Sequence, residues 1–309
     1  MINFRYHIVS LMAVFLALAV GIAVGVTLRP SVDEGLAAQA AQDRKQVQDL
    51  RTELSRRAAL DEYRDVWASR VGEVVTAGML GGTRVAVVGM PDAPTAVVQS
   101  ISTAVTTAGG TLSRTVKISK DPFDPDQAEK LNTTLSPYAS ALGLTDSMSE
   151  GTKFGLALGR AIAAKTPGLR DDQAVAIGKE LSSAGLINVS GETTASAQLI
   201  IVVAAVATDP RAPAEQLSAH VEMDVALRGA AAGLVLAGPN SEEIEGTDVL
   251  SARSDATAVD LLSTVDVADL QSGVITTVLA AKEQLLGSDG RHYGALSKAD
   301  APVPTLPIR

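Results

Sequence analysis

Residues 84–110 read RVAVVGMPDAPTAVVQSISTAVTTAGG. Arg84 to Gly89 is a short apolar run closed by glycine, and Asp92 to Ala108 carries helical periodicity. A strand, a glycine turn and a helix in that order open a βαβ unit. Two more strands of the same kind follow: Leu199 to Ala205 (LIIVVAA) and Gly233 to Ala237 (GLVLA). Weaker candidates lie at Leu112 to Ile118 and Leu262 to Val265, and a last helix runs from Asp269 to Leu286. Strands that are apolar without alternation, separated by helices, predict a parallel sheet covered on both faces. The fold class is therefore α/β, Rossmann-like or flavodoxin-like, over residues 83–294. A long helical stretch, about 124–184, is expected as an inserted helical subdomain divided by Pro137, Pro167, Gly143, Gly151 and Gly168. Residues 295–309, ending ADAPVPTLPIR, read as a flexible tail.

Upstream, Ile8 to Leu28 is 21 residues without a charge. As a helix it covers roughly 30 Å, one hydrocarbon core. A helix apolar on every face for this length is rare inside a water-soluble core. Residues 1–30 are thus expected to be a transmembrane signal anchor, single-pass in the cell membrane, with a cytoplasmic N-terminus and the bulk outside the cytoplasm. A cleaved signal peptide is the rival reading: its apolar region is usually shorter, although Ala17-Leu18-Ala19 offers a small-residue cleavage site. Gly21-x-x-x-Gly25 is the spacing that lets two membrane helices approach closely.

Residues 31–76 change to a charged, helix-favouring run. Leu36, Ala40, Asp43, Val47, Leu50, Leu54 and Arg57 follow alternating steps of four and three, the coiled-coil period. The phase then slips, and Leu60, Tyr63, Trp67, Val71 and Val74 continue the stripe, as a stutter does. A coiled-coil stalk is predicted, pairing with a second copy or with another protein through Leu36, Val47, Leu50, Leu54 and Trp67. The alternative is a solvated linker helix. Fully helical, residues 32–75 reach about 65 Å. Gly81-Gly82 ends the run.

Chemistry is sparse. The chain has no cysteine, three separated histidines and a net charge of −9. The acidic balance argues against nucleic acid as a partner. Gly89-Met90-Pro91-Asp92 stands where a dinucleotide fold places its phosphate loop, but G-x-G-x-x-G is absent. Asp121, Asp124 and Asp126 are separated by prolines, and Asp124 suits a helix cap. His220 and Met223 share a helix face, which alone makes no copper site. No catalytic set, cofactor or metal site is expected. Ser263, Thr264, Asp266 and Asp269 fall at the carboxyl end of a parallel strand, the usual ligand edge. They are a possible ligand or docking edge; otherwise Asp266 or Asp269 caps the last helix.

Three segments resemble one actinobacterial family: RYHIVSLMAVFLALAVGIAVG (5–25), STVDVADLQSG (263–273) and GRHYG (290–294). This is the copper transporter, or mycobacterial copper transport protein B (MctB), family, which includes a SteB-like cell-separation branch. The resemblance runs from Arg5 to Gly294. The family name implies copper efflux through the outer envelope layer. The SteB-like branch implies a membrane-anchored coiled-coil protein that works with a SteA-like membrane protein and controls a peptidoglycan hydrolase. The expected function is a non-enzymatic, membrane-tethered envelope scaffold or regulator of that second kind. The alternatives are a copper transport or tolerance component, and a small-ligand-sensing envelope domain.

Overall fold

The computed structural model describes residues 4–119, 122, 124–191, 194–207, 211–239 and 246–305. The side chains of residues 4–5, 27–38 and 125–126 are outside the described set, so the seam position Leu36 and the Asp121 and Asp126 carboxylates lie beyond it. Two compact units are described, 1–64 and 65–309.

In the first unit the chain is helical from Phe4 onward, within α1 (Phe4–Thr76). Tyr6–Val26 is long and apolar enough to cross a membrane, and none of it is buried against protein. Beyond it the apolar seam positions face solvent: Val47 is 47%, Leu50 51% and Leu54 63% exposed. Ion pairs Arg57–Glu53 (2.6 Å) and Arg64–Asp61 (2.9 Å) lie along the same helix. Exposed pairs of this spacing add only a few tenths of a kcal/mol each, about 0.3–0.5.

The second unit is built on one seven-stranded sheet among the described residues. Its strands are β1 (Arg84–Gly89), β2 (Thr111–Ile118), β3 (Ile187–Ser190), β4 (Leu199–Val203), β5 (Gly233–Ala237), β6 (Ser263–Val265) and β7 (His292–Tyr293). The spatial order is β3-β2-β1-β4-β5-β6-β7. All pairings are parallel except β2 with β3. The α/β reading is therefore right, with five strands close to where the sequence places them. Alternate residues of the central strands feed two cores. Ala86, Val88, Ile200, Val202, Leu234 and Leu236 point to one face. Val85, Val87, Leu199, Ile201, Val203 and Val235 point to the other. Both faces are buried, which is why no polar alternation shows in the sequence.

Helices α2 (Thr95–Thr107) and α10 (Gln271–Leu285) cover the second face. The first face is covered by α3 (Pro125–Leu135), α5 (Glu150–Ile162), α6 (Asp172–Ser183) and α7 (Ala214–Ala230), with the single turn α4 (Ala139–Leu142) between α3 and α5. Short α8 (Asp248–Ala252) and α9 (Ala258–Leu261) precede β6. The helical stretch after β2 shares its core with the sheet: Leu131, Phe154, Leu158, Ile177 and Leu181 belong to the same cluster as Val88 and Ile200. Gly151, read in the sequence as a divider, lies inside α5. With Gly155 and Gly159 it makes a side-chain-free stripe against α7. A Cβ at Gly155 would sit 2.5 Å from the Met223 carbonyl oxygen, and one at Gly159 2.8 Å from the Ala230 Cβ. The two backbones approach this closely because no Cβ intervenes.

From Asp65 on, α1 belongs to this unit and buries Ala68, Gly72 and Thr76, four residues apart. Gly72 rests directly on Ile275. The large residues of the predicted second register face the other way, with Trp67 57% exposed and Val74 more so. Packing here selects small side chains, which hydrophobic periodicity does not flag. At the other end, where composition predicts a mobile tail, residues to 305 fold back. The His292 amide donates to Asp300 Oδ2 (2.9 Å), and the Gly294 amide donates to the Ala301 carbonyl (3.1 Å).

Candidate functional site

The strand order reverses at β1, which has β2 on one side and β4 on the other. Carboxyl ends of parallel strands at such a point open a crevice, because the flanking connections leave toward opposite faces. A crevice of about 790 Å³ lies there. The turn after β1 supplies Met90, Pro91 and Asp92, with Asp92 in the left-handed region at φ 61°. The end of β2 supplies Lys117 and Ser119, and the approach to α7 supplies Arg211 and Gln216.

At its floor, His220 Nδ1 of α7 lies 2.8 Å from Asp248 Oδ1 of α8, and both side chains are less than a tenth exposed. The α5 glycine stripe sets this geometry, since it packs α7 onto the sheet with the face of Leu217, His220, Met223, Asp224 and Leu227 turned inward. Thr247 caps α8 by accepting from the Leu250 amide (3.2 Å), which fixes Asp248 beside the histidine. Asp224, one turn beyond His220, is fully buried, and its Oδ1 has no hydrogen-bond partner. Burial first, and the Asp248 charge second, push its carboxyl well above the ordinary carboxylate range, while His220 opposes the shift.

Asp224 therefore binds its proton more tightly in the folded chain than in the unfolded one, where an aspartate titrates near about pH 4. Folding takes up that proton, so stability falls as pH rises through the carboxylate range. Asp224→Asn removes this dependence. Its thermal midpoint should exceed that of the parent chain at about pH 8, and the difference should vanish toward about pH 4. Melting curves across that range check it.

The edge anticipated from sequence is also assembled, but it faces inward. Ser263, Thr264 and Asp266 are buried, whereas Asp269 is exposed. The N-cap residue of α10 is Leu270, so Asp266 does not stand at the start of that helix. Asp266 instead pairs with Arg253 (2.8 Å, both side chains at most 1% exposed). It also accepts from the Ala295 (2.8 Å) and Leu296 (3.1 Å) amides. Arg253 donates further to Thr264 Oγ1 (2.8 Å) and to the Tyr293 carbonyl (2.9 Å). Thr264 Oγ1 meets His292 Nδ1 at 3.0 Å. Burial, followed by the Arg253 charge, holds His292 below its usual range, so it stays neutral. Among the described residues, no group of three or more His, Cys, Asp or Glu is arranged to hold a metal ion.

The family model described as "Copper transport outer membrane protein, MctB" matches residues 1–304. The chain belongs to the MctB family. Similar proteins include "Copper transporter MctB" of Mycobacterium tuberculosis (strain ATCC 25618 / H37Rv), 30% identical over 317 residues, covering 95% of this chain and 96% of that protein. Another is "Copper transporter MctB" of Mycobacterium leprae (strain TN), 28% identical over 321 residues, with the same coverage of each. In this MctB-family chain the two late segments that carry the resemblance meet in space. Gly294 of GRHYG packs directly on the Asp266 carboxylate of STVDVADLQSG at φ 132°, leaving no room for a Cβ. Both motifs are thus used to build the β6–β7 edge.

Of the other sequence-derived positions, Val47, Leu50, Leu54 and Trp67 are exposed on α1, and Gly21 and Gly25 lie in the apolar span with open space around them. The His220–Asp248 pair escaped sequence reasoning. Its partners are 28 residues apart on different helices, and only the sheet topology brings them together.

Proposed function

We propose that the chain is a membrane-anchored, non-enzymatic scaffold of the cell envelope that works by docking a partner helix along α1. The N-terminus is cytoplasmic and the bulk lies outside the cytoplasm in the cell membrane; placement in the outer envelope layer is the alternative. The observation that carries the reading is the row Val47, Leu50 and Leu54, at heptad spacing and 47–63% exposed. Apolar side chains repeated on one helix face are what a second helix buries. The anchor raises the local concentration of any membrane partner, so a short seam suffices. This is the SteB-like role, with a SteA-like membrane protein and a peptidoglycan hydrolase as the partners the resemblance implies.

A second reading, a copper transport or tolerance component, is favoured by the match over residues 1–304 and by the name of the relatives. A single apolar helix encloses no pore, and an open sheet with buried faces is not a membrane barrel. Under this reading the chain serves copper handling through a partner.

Leu50→Asp with Leu54→Asp tests the docking claim. Each buried seam side chain is worth roughly 1.5–3 kcal/mol, and each aspartate would place an unpaired charge in the interface. The double variant should reach normal abundance in the membrane but fail to complement a strain lacking the chain. A defect in cell separation supports the first reading, and a defect in copper tolerance alone supports the second. Full complementation of both would overturn docking through α1.

A further inference from the structure

The seam along α1 carries two charges that apolar pairing does not explain. Asp43, Val47, Leu50, Leu54 and Arg57 follow one alternation of four and three, so both charges stand at positions that a partner helix covers. Each lies one heptad from Leu50, on the same face of α1 and about 21 Å from the other. No base stands one helical turn from Asp43: those positions are Gln39, Ala40, Gln46 and Val47. Arg44 is about 100° round the helix, at the rim of the layer rather than across it. Arg57 pairs with Glu53 at 2.6 Å in the lone helix, but both side chains are more than half exposed. Exchanging so exposed a pair for another costs little. A helix laid over the seam takes both charges out of water, and each must then be answered from across the interface.

A second copy supplies no such answer. Two copies anchored in one bilayer through the same end run in parallel. In register, Asp43 meets its own copy and Arg57 meets its own, so two layers set like charges face to face. A stagger of two heptads would bring Asp43 to Arg57, but it would displace one apolar span from the other by about 21 Å across the same membrane. Resting on the docking reading above, we propose that α1 takes a helix of a different protein, one that sets a lysine or arginine against Asp43 and an aspartate or glutamate against Arg57. On that helix the two charges are two heptads apart. The charged layers act as a selection rule, since they reject a second copy and admit the complementary helix.

The test uses the full-length chain in its native membrane. A photocrosslinking residue is placed at position 50, midway between the two charges, and two differently tagged copies are expressed together. The expected adduct carries one tag only. Sequencing the crosslinked peptide should find a lysine or arginine about one heptad to one side of the attachment point and an acid about one heptad to the other. Asp43→Leu is the discriminating change. It would strengthen a self-pair or a seam held by apolar contact alone. Under the proposal it leaves the partner's cation without its anion, and adduct yield should fall about tenfold or more, the loss of one charge-assisted bond. Asp43→Glu should keep the yield. Position 43 is exposed in the lone helix, so neither change threatens folding. A main adduct carrying both tags, a partner peptide without those charges, or a yield that Asp43→Leu leaves unchanged or raises would overturn the assignment and leave helix docking standing. No adduct from position 50 in the parent chain would overturn both.

Discussion

Arg253→Met should destabilise the second unit by about 3–5 kcal/mol, the range for removing one partner of a buried ion pair. The guanidinium holds Asp266 (2.8 Å), Thr264 (2.8 Å) and the Tyr293 carbonyl (2.9 Å) at one point where β6, β7 and the returning C-terminal segment converge. Methionine fills most of the volume but leaves the Asp266 charge buried without its cation. Domains of ordinary stability have about 5–15 kcal/mol in hand, so the variant should sit near the edge of folding. Adding Asp266→Leu removes the orphaned charge, but rescue should be incomplete. The Ala295 and Leu296 amides that Asp266 accepts from would then be unpaired. Denaturant unfolding of the single and double variants measures both effects.

Gly155→Val should also be strongly destabilising. The new Cβ would arrive 2.5 Å from the Met223 carbonyl oxygen and 2.7 Å from the Ala226 Cβ, both on α7. One obstacle is backbone, so relief requires the helices to separate rather than a side chain to rotate. Overpacking costs typically about 1–3 kcal/mol and more where backbone must move. Valine also adds χ1 restriction in a helix, a cost of tenths of a kcal/mol. Because α7 carries His220 and Asp224, the same variant should disturb the floor of the crevice. Gly229→Ala on the same helix is the control. Nothing lies within 4 Å of its would-be Cβ, so alanine should stabilise by roughly 0.5–1 kcal/mol through helix propensity. Opposite signs for the two glycines would show that close approach, rather than glycine loss as such, sets the effect.

What was legible in the sequence follows from what each element needs. Arg84 to Gly89 and Gly233 to Ala237 are buried on both faces, so they stand out as unbroken apolar runs, and the observed strands have those same ends. Ile187–Ser190 is an edge strand of four residues, and His292–Tyr293 has only two; neither is long enough to display a period. The α5 stripe is invisible to hydrophobic periodicity because its packing surface is defined by the absence of side chains. Ser263 and Thr264 lie in β6 and Asp266 directly after it, all three buried, while Asp269 is exposed. Their inward orientation depends on Arg253 and on a chain return from residue 294 onward, which no local pattern announces. The crevice floor was half visible, as His220 on a helix face, but Asp248 enters only through topology.

The central claim, that α1 presents a helix-docking seam, is tested most directly by site-specific photocrosslinking of the full-length chain in its native membrane. A crosslinking residue at position 50 samples the seam, and one at position 52 points about 200° around the same helix. The account predicts a discrete adduct from position 50 and little from position 52. Leu54→Asp should erase the adduct from position 50. Equal adducts from both positions, or an adduct at position 50 that survives Leu54→Asp unchanged, would contradict it.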